Sequence, residues 1–310
     1  MKAIIAICFV LNTGLFALAI ENHLKKIERK SQPPQIKNID FIYLINLDQR
    51  PEKLERISND FARFGIELFR FPAIYGWQLP RTTFDDLGVV FQPWMMEEVN
   101  FQINYNGFVL IDPKTTAHPD TGEYHRLGPK FYQRNVFSVS MKGGAIGCTL
   151  SHLSILQDAL DSGYHAVWIL EDDTMICEDP HQLGDWIDRL DESVGREGWD
   201  ILYTDSVVYF HSTNDINWIW RPDLAIDYNQ MLQVKDLGSF LQIGGRGHTH
   251  SMILSRAGME KILGFEKTHG IFNPYDMELA TIPGIRLFAL KQNIVIQNQT
   301  VSDTVRQIFD

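Results

Sequence analysis

Thiols are scarce in this chain: Cys8, Cys148 and Cys177 are its three cysteines, and none forms a CxxC pair. A zinc site built from paired thiolates is therefore excluded. Cys8 belongs to an apolar leader, which leaves Cys148 and Cys177 either to pair or to stand as buried thiols. Positive charge is also in deficit, with 28 Lys and Arg against 39 Asp and Glu and a formal net charge of -11. A general nucleic-acid binder needs a basic face, so that class is excluded, whereas a cation-collecting site is compatible. Internal repeats and low-complexity tracts are absent. What is present, 310 residues at 45% hydrophobic and 22% charged, can bury a sizeable core and is not the composition of a disordered chain.

The leader runs apolar from Ala3 to Ile20 behind Lys2, broken by Asn12-Thr13-Gly14, and Ala17-Leu18-Ala19 has the small-x-small form of a cleavage site. Residues 1–19 are thus either a signal peptide cleaved after Ala19 or a membrane anchor. Were the segment uncleaved, Lys25, Lys26, Arg29 and Lys30 would keep the following domain cytoplasmic. Residues 20–38, with Ser31-Gln32-Pro33-Pro34, read as a linker, and residues 39–310 as one folded domain.

That domain opens on Phe41-Ile42-Tyr43-Leu44-Ile45-Asn46-Leu47, the unbroken apolar run of a strand buried on both faces. Pro51 suits the first turn of a helix carrying Leu54, Ile57, Phe61 and Phe64, and Gly65 stops it. A second strand over Glu67 to Ile74 completes a βαβ unit and predicts a parallel sheet. Residues 77–142 lack periodicity and carry turn signals such as Asp112-Pro113, the pattern of a lid or acceptor-binding insertion. Regular structure resumes after Gly143-Gly144 with a helix through Leu150, Leu153, Leu156 and Leu160. The strand Ala166–Leu170 follows, then a helix near Pro180 to Val194, a strand at Asp200–Tyr203, a strand at Ser251–Leu254 and a helix from Arg256. The alternation specifies an α/β fold with its ligand crevice at the carboxyl ends of the strands.

Glu171-Asp172-Asp173 follow the buried strand directly. Three adjacent carboxylates repel unless solvent or a cation compensates them. They form either a solvated acidic turn or an oxygen-rich site for Mn2+ or Mg2+, ions that can bridge a diphosphate.

Gly147-Cys148-Thr149-Leu150-Ser151-His152, followed by Trp168-Ile169-Leu170-Glu171-Asp172-Asp173, resembles glycosyltransferase family 25, which includes lipopolysaccharide-modifying transferases and collagen galactosyltransferases. Tyr43 to Pro51, with Leu54 and Arg56, is similar to that family's first motif, and Phe71-Pro72-Ala73-Ile74-Tyr75-Gly76 to its second. Thr249 to Ser255 and Pro274-Tyr275-Asp276 resemble its last two. Tyr75, Met252 and the length of 77–142 depart from the family pattern.

The resemblance implies a GT-A-like nucleotide-binding sandwich with a mostly parallel central sheet. It implies a metal-dependent transfer of a hexose from a UDP-sugar to a glycan or glycoconjugate hydroxyl, in lipopolysaccharide biosynthesis or a related process. Carried onto this chain, Asp173, Glu171 and His250 would hold Mn2+ or Mg2+, while Asn46, Asp48, Arg50, His152, Glu171 and Asp172 would meet the donor. Asp276 and Asp205 are the candidate bases for the acceptor hydroxyl, each equally at home as a turn or capping residue. Arg56 reads as a surface arginine, and Gly244-Gly245-Arg246-Gly247 as a turn whose Arg246 is available to a phosphate. Asp185, Asp188 and Asp191 read as the wet face of a helix. Asn298-Gln299-Thr300 is a glycosylation sequon, meaningful only in a eukaryotic secretory setting. A metal-dependent phosphodiester hydrolase is the alternative enzyme class, although His165 and His181 flank the acids without forming a motif. A catalytically silent nucleotide-sugar binder is the non-enzymatic one.

Overall fold

A computed structural model describes residues 20–28, 30, 32–92, 95, 135–138, 140–206, 209–216 and 219–298. The expected leader at 1–19, most of the 77–142 insertion and the end of the sequon at Gln299-Thr300 lie outside these residues.

The chain alternates as the sequence predicts. Strand β1 (Phe41–Asn46) leads through helix α1 (Pro51–Ala62) to β2 (Phe69–Pro72), and β1 pairs with β2 in parallel. Helix α1 buries Ile57 and Phe61, and the chain leaves it through Gly65 at φ 69, a left-handed conformation that glycine adopts without strain. Part of the expected irregular stretch is regular. Helix α2 (Arg81–Leu87) precedes β3 (Val89–Val90), which pairs antiparallel with β4 (Asn135–Val136).

Helix α3 (Gly143–Asp161) then leads to β5 (Ala166–Glu171), β6 (Thr174–Ile176), helix α4 (Gln182–Val194) and β7 (Ile201–Tyr203). After two single-turn helices (Thr213–Ile216 and Tyr228–Met231) come β8 (Val234–Leu237), β9 (Phe240–Ile243), β10 (Ser251–Ser255), helix α5 (Arg256–His269), helix α6 (Tyr275–Leu279), β11 (Leu287–Leu290) and β12 (Val295–Gln297).

Eight strands form the central sheet in the order β2-β1-β5-β10-β7-β11-β9-β8. Six run in one direction; β10 and β9 run against them, so β10 inserts antiparallel between the parallel strands β5 and β7. Side-chain alternation gives the sheet two buried faces. Phe41, Tyr43, Ile45, Val167, Ile169, Met252 and Leu254 pack with α3 and α5, while Ile42, Leu44, Trp168, Leu170 and Ile253 pack with α1 and α4. Both faces are apolar because helices cover both, which is why β1 reads as an unbroken hydrophobic run.

The described residues of 20–38, expected as a linker, are docked on this domain. Ile20 is buried in the core, the Lys25 backbone N–H donates to Ser154 Oγ at 2.9 Å, and Lys30 pairs with Asp158 while lying 4.6 Å from the centroid of the Tyr164 ring. Apolar side chains and buried ion pairing hold a segment whose Pro-Pro pair suggested a free tether. No helix among the described residues is long and apolar enough to cross a membrane.

The amino end of α3 crosses the segment after β2 at backbone contact. A Cβ on Gly147 would lie 2.4 Å from the Ile74 carbonyl oxygen, and one on Gly76 would lie 1.8 Å from that of Gly143. Glycines at this crossing are therefore a packing requirement, and they set the position of one wall of the crevice. Replacing Gly147 with Ala is expected to lower unfolding stability by about 1–3 kcal/mol, the usual scale of overpacking, as measured by urea denaturation. An unchanged midpoint would contradict this contact.

Candidate active site

The carboxyl ends of β1, β2 and β5 open into a cleft, the position where open α/β sheets bind their ligands. Asn46, Glu171, Asp172 and Asp173 line it, together with Lys53 from α1, Trp77, and Gly144 and Cys148 from α3. Free cysteines Cys148 and Cys177 do not pair, and Cys177 is exposed rather than a buried thiol.

The three acids are compensated differently. Glu171 lies beside β10, its backbone N–H donating to the His250 carbonyl at 2.8 Å. Its Oε1 faces His152 Nε2 at 3.0 Å and accepts from Thr249 Oγ1 at 2.7 Å. Burial pushes the Glu171 carboxyl up, but these bonds and the nearby imidazoles outweigh it and hold it below the usual range. Asp172 accepts from Asn46 Nδ2 at 2.8 Å and has Lys53 Nζ 3.5 Å from its other oxygen.

Asp173 is the least compensated. Its Oδ2 accepts from Gln297 Nε2 at 2.8 Å, whereas its Oδ1 is buried with no hydrogen-bond partner. Burial, reinforced by the charge of Glu171, raises the Asp173 carboxyl above its ordinary range. An ionised oxygen left unpaired at 7% residue exposure is costly unless a cation meets it. This orphaned oxygen fits the oxygen donor set that Mn2+ or Mg2+ prefers.

The backbone under the acids is clamped from α1. Arg56 donates to the Asp172 carbonyl at 2.7 Å and to the Thr174 carbonyl at 2.9 Å, so the expected surface arginine positions the acidic turn instead. Asn46 performs the same service from β1. It donates to Asp172 and to the Arg50 carbonyl at 2.9 Å, and accepts from Arg70 Nε at 2.9 Å.

The other expected donor contacts disperse. Asp48 is exposed and pairs with Arg70, and Arg50 pairs with Glu52 at 3.2 Å; neither lines the cleft. His152 is fully buried, stacked on Tyr275 at 4.5 Å between ring centroids, and reaches the cleft only through Glu171. His250 sits on the α3 face of the sheet next to Glu171, with Nε2 3.3 Å from Asp205 Oδ2.

Asp205 departs from the role of base. It is 1% exposed and accepts from Arg246 at 2.7 Å; burial pushes its carboxyl up, but His250 and Arg246 outweigh it and hold it below the usual range. A sealed, ion-paired carboxylate of lowered proton affinity is a poor proton acceptor. The same pair removes Arg246 from the solvent, its guanidinium lying 4.4 Å from the centroid of the Tyr203 ring, so it is not a free phosphate contact. Asp276 keeps partial exposure at the start of α6. It accepts from the His248 and Met277 backbone N–H groups at 2.9 and 3.0 Å, and burial raises its carboxyl above the ordinary range. On α4, Asp185 is exposed as expected, while Asp188 accepts from Asn38 and Asp191 from Trp199 Nε1 at 2.7 Å.

Lys53 was not singled out in the sequence. Its signal is positional: it lies in the first turn of α1, three residues before Arg56, so both reach from one helix face toward the end of β5.

Residues 39–268 match the family described as Glycosyltransferase family 25 (LPS biosynthesis protein). A "Glycosyltransferase 25 family member" of Aedes aegypti is 29% identical over 187 residues, covering 60% of this chain and 24% of that protein. A protein of the same name from Drosophila melanogaster is 28% identical over 59% of this chain and 23% of its own length. The human "Inactive glycosyltransferase 25 family member 3" is 25% identical over 57% of this chain and 23% of its own. The chain thus aligns with about a quarter of the length of these relatives.

Because burial raises Asp173, the folded chain holds its proton to a higher pH than the unfolded chain does. The stability this confers is present at low pH and is lost as pH rises through the folded value. Metal-free Asp173→Ala is therefore expected to melt at or above the parent temperature at neutral pH, by calorimetry. A drop of several degrees would show that the carboxylate is a structural element instead.

Proposed function

The chain belongs to glycosyltransferase family 25, and we propose that it is a metal-dependent glycosyltransferase moving a hexose from a UDP-sugar to a hydroxyl of a glycan or glycoconjugate. The observation that carries this reading is the buried, unpartnered Asp173 Oδ1 in a cleft at the strand ends. Asp173, with Glu171 and His250 beside it, would hold the ion. Bound there, Mn2+ or Mg2+ would offset the negative charge that develops on the departing diphosphate.

The chain's own residues supply the rest. Lys53 places an ammonium beside Asp172, where the other charged side chains lining the cleft are carboxylates. Arg56 and Asn46 keep the acidic turn fixed, so its charge is oriented before the donor arrives. Asp276 is the base: partly exposed, with raised proton affinity, and held by two backbone N–H groups, it accepts the proton of the attacking hydroxyl. A lipopolysaccharide-type acceptor fits the family's description, and the leader at 1–19 fits delivery to, or retention at, a membrane.

The test is steady-state turnover of a panel of UDP-hexoses with Mn2+ present, following release of UDP. Asp173→Ala is expected to abolish turnover, and Asp276→Asn to lower kcat by about 10²–10⁴-fold, the range for loss of a general base. Asp205→Asn is expected to act on stability more than on kcat. A parent protein that binds a UDP-sugar but releases no UDP would be a silent binder, and the enzymatic reading would fall.

A further inference from the structure

Cys148 and His152 are four residues apart on α3, one turn apart on the same helix face. That face meets the end of β5, and one ligand atom from each of Cys148, His152 and Glu171 lies within 4.8 Å of the other two. We propose that this thiol, imidazole and carboxylate form a Zn2+ site, distinct in its chemistry from the oxygen-rich position at Asp173.

The donor set decides the metal. Sulfur and imidazole nitrogen favour zinc, whereas Mn2+ and Mg2+ favour oxygen, and zinc also stands above manganese in general affinity. The spacing is close to what zinc needs. Tetrahedral zinc bound at about 2.0–2.3 Å sets its ligand atoms roughly 3.3–3.8 Å apart. The 3.0 Å between His152 Nε2 and Glu171 Oε1 is a few tenths short of that edge, and the separations to the Cys148 sulfur lie within 4.8 Å, so side-chain adjustment draws the three onto one ion.

The cluster is also held in place. The His152 ring is buried and stacked on Tyr275, and its Nδ1 has no hydrogen-bond partner. Thr249 orients Glu171, and Cys148 lines the cleft, which gives the ion its entry and an open coordination position. Binding displaces the thiol proton to solvent.

One consequence rests on the transferase reading while the binding itself does not. A zinc ion that draws Glu171 into its shell withdraws that carboxylate from the cation at Asp173, so zinc would oppose turnover.

Co2+, which reports thiolate ligation by a near-ultraviolet charge-transfer band, is the probe. The host is the full chain carrying Cys8→Ser and Cys177→Ser, so that Cys148 is its one thiol. One equivalent of Co2+ is expected to produce the band and one equivalent of Zn2+ to abolish it. Adding Cys148→Ser is expected to remove the band, and His152→Gln to weaken affinity by about tenfold or more, at least the scale of losing a supporting partner, each with unchanged far-ultraviolet circular dichroism. Absence of the band in the host, its persistence in Cys148→Ser, or unchanged affinity in His152→Gln would overturn the site. The titration uses neither donor nor turnover, so its failure leaves the transferase reading standing, and failure of that reading leaves the site standing.

Discussion

Mutual repulsion among Glu171, Asp172 and Asp173 is the constraint around which the rest of the molecule is arranged. Each acid meets a different answer. Glu171 has hydrogen bonds from His152 and Thr249, Asp172 has Asn46 and the Lys53 ammonium, and Asp173 has one amide and an empty-handed second oxygen. The imbalance is what makes the turn a site. Two acids find side-chain partners within the protein, and the third is left to be completed by something that arrives.

The scaffold exists to hold that arrangement still. β5 delivers the acids to the carboxyl edge of the sheet, and antiparallel β10 brings His250 to the same edge from the other side. The glycine crossing between α3 and the segment after β2 sets the wall opposite, close enough that even a methyl group would collide. Arg56 fixes the turn through backbone carbonyls, leaving the carboxylates themselves available. Beyond the cleft, the buried Asp205–Arg246 pair under His250 is a structural support, costly to break at one partner.

Much of this was legible in sequence because it is local. The βαβ unit, the buried β1 and the acidic end of β5 each follow from runs of residues adjacent in the chain. What was not legible depends on residues far apart. Arg56 reaches Asp172 across 116 positions, and nothing in the surrounding helix distinguishes it from a surface arginine. Asp205 reads as an accessible carboxylate at a strand end until Arg246, 41 positions away, closes on it. Ser31 to Pro34 carries a linker's composition, yet Ile20 and Lys30 ahead of it are anchored on the domain by Tyr164, Asp158 and the core. The family resemblance located the acids but not the division of labour among them.

If Asp173 is incomplete without a cation, donor binding depends on completing it. Equilibrium titration calorimetry of a UDP-hexose into the protein, in Mn2+ and again in EDTA, tests it directly. Saturable binding with Mn2+ that weakens at least tenfold in EDTA is expected. Equal affinity under both conditions would contradict it.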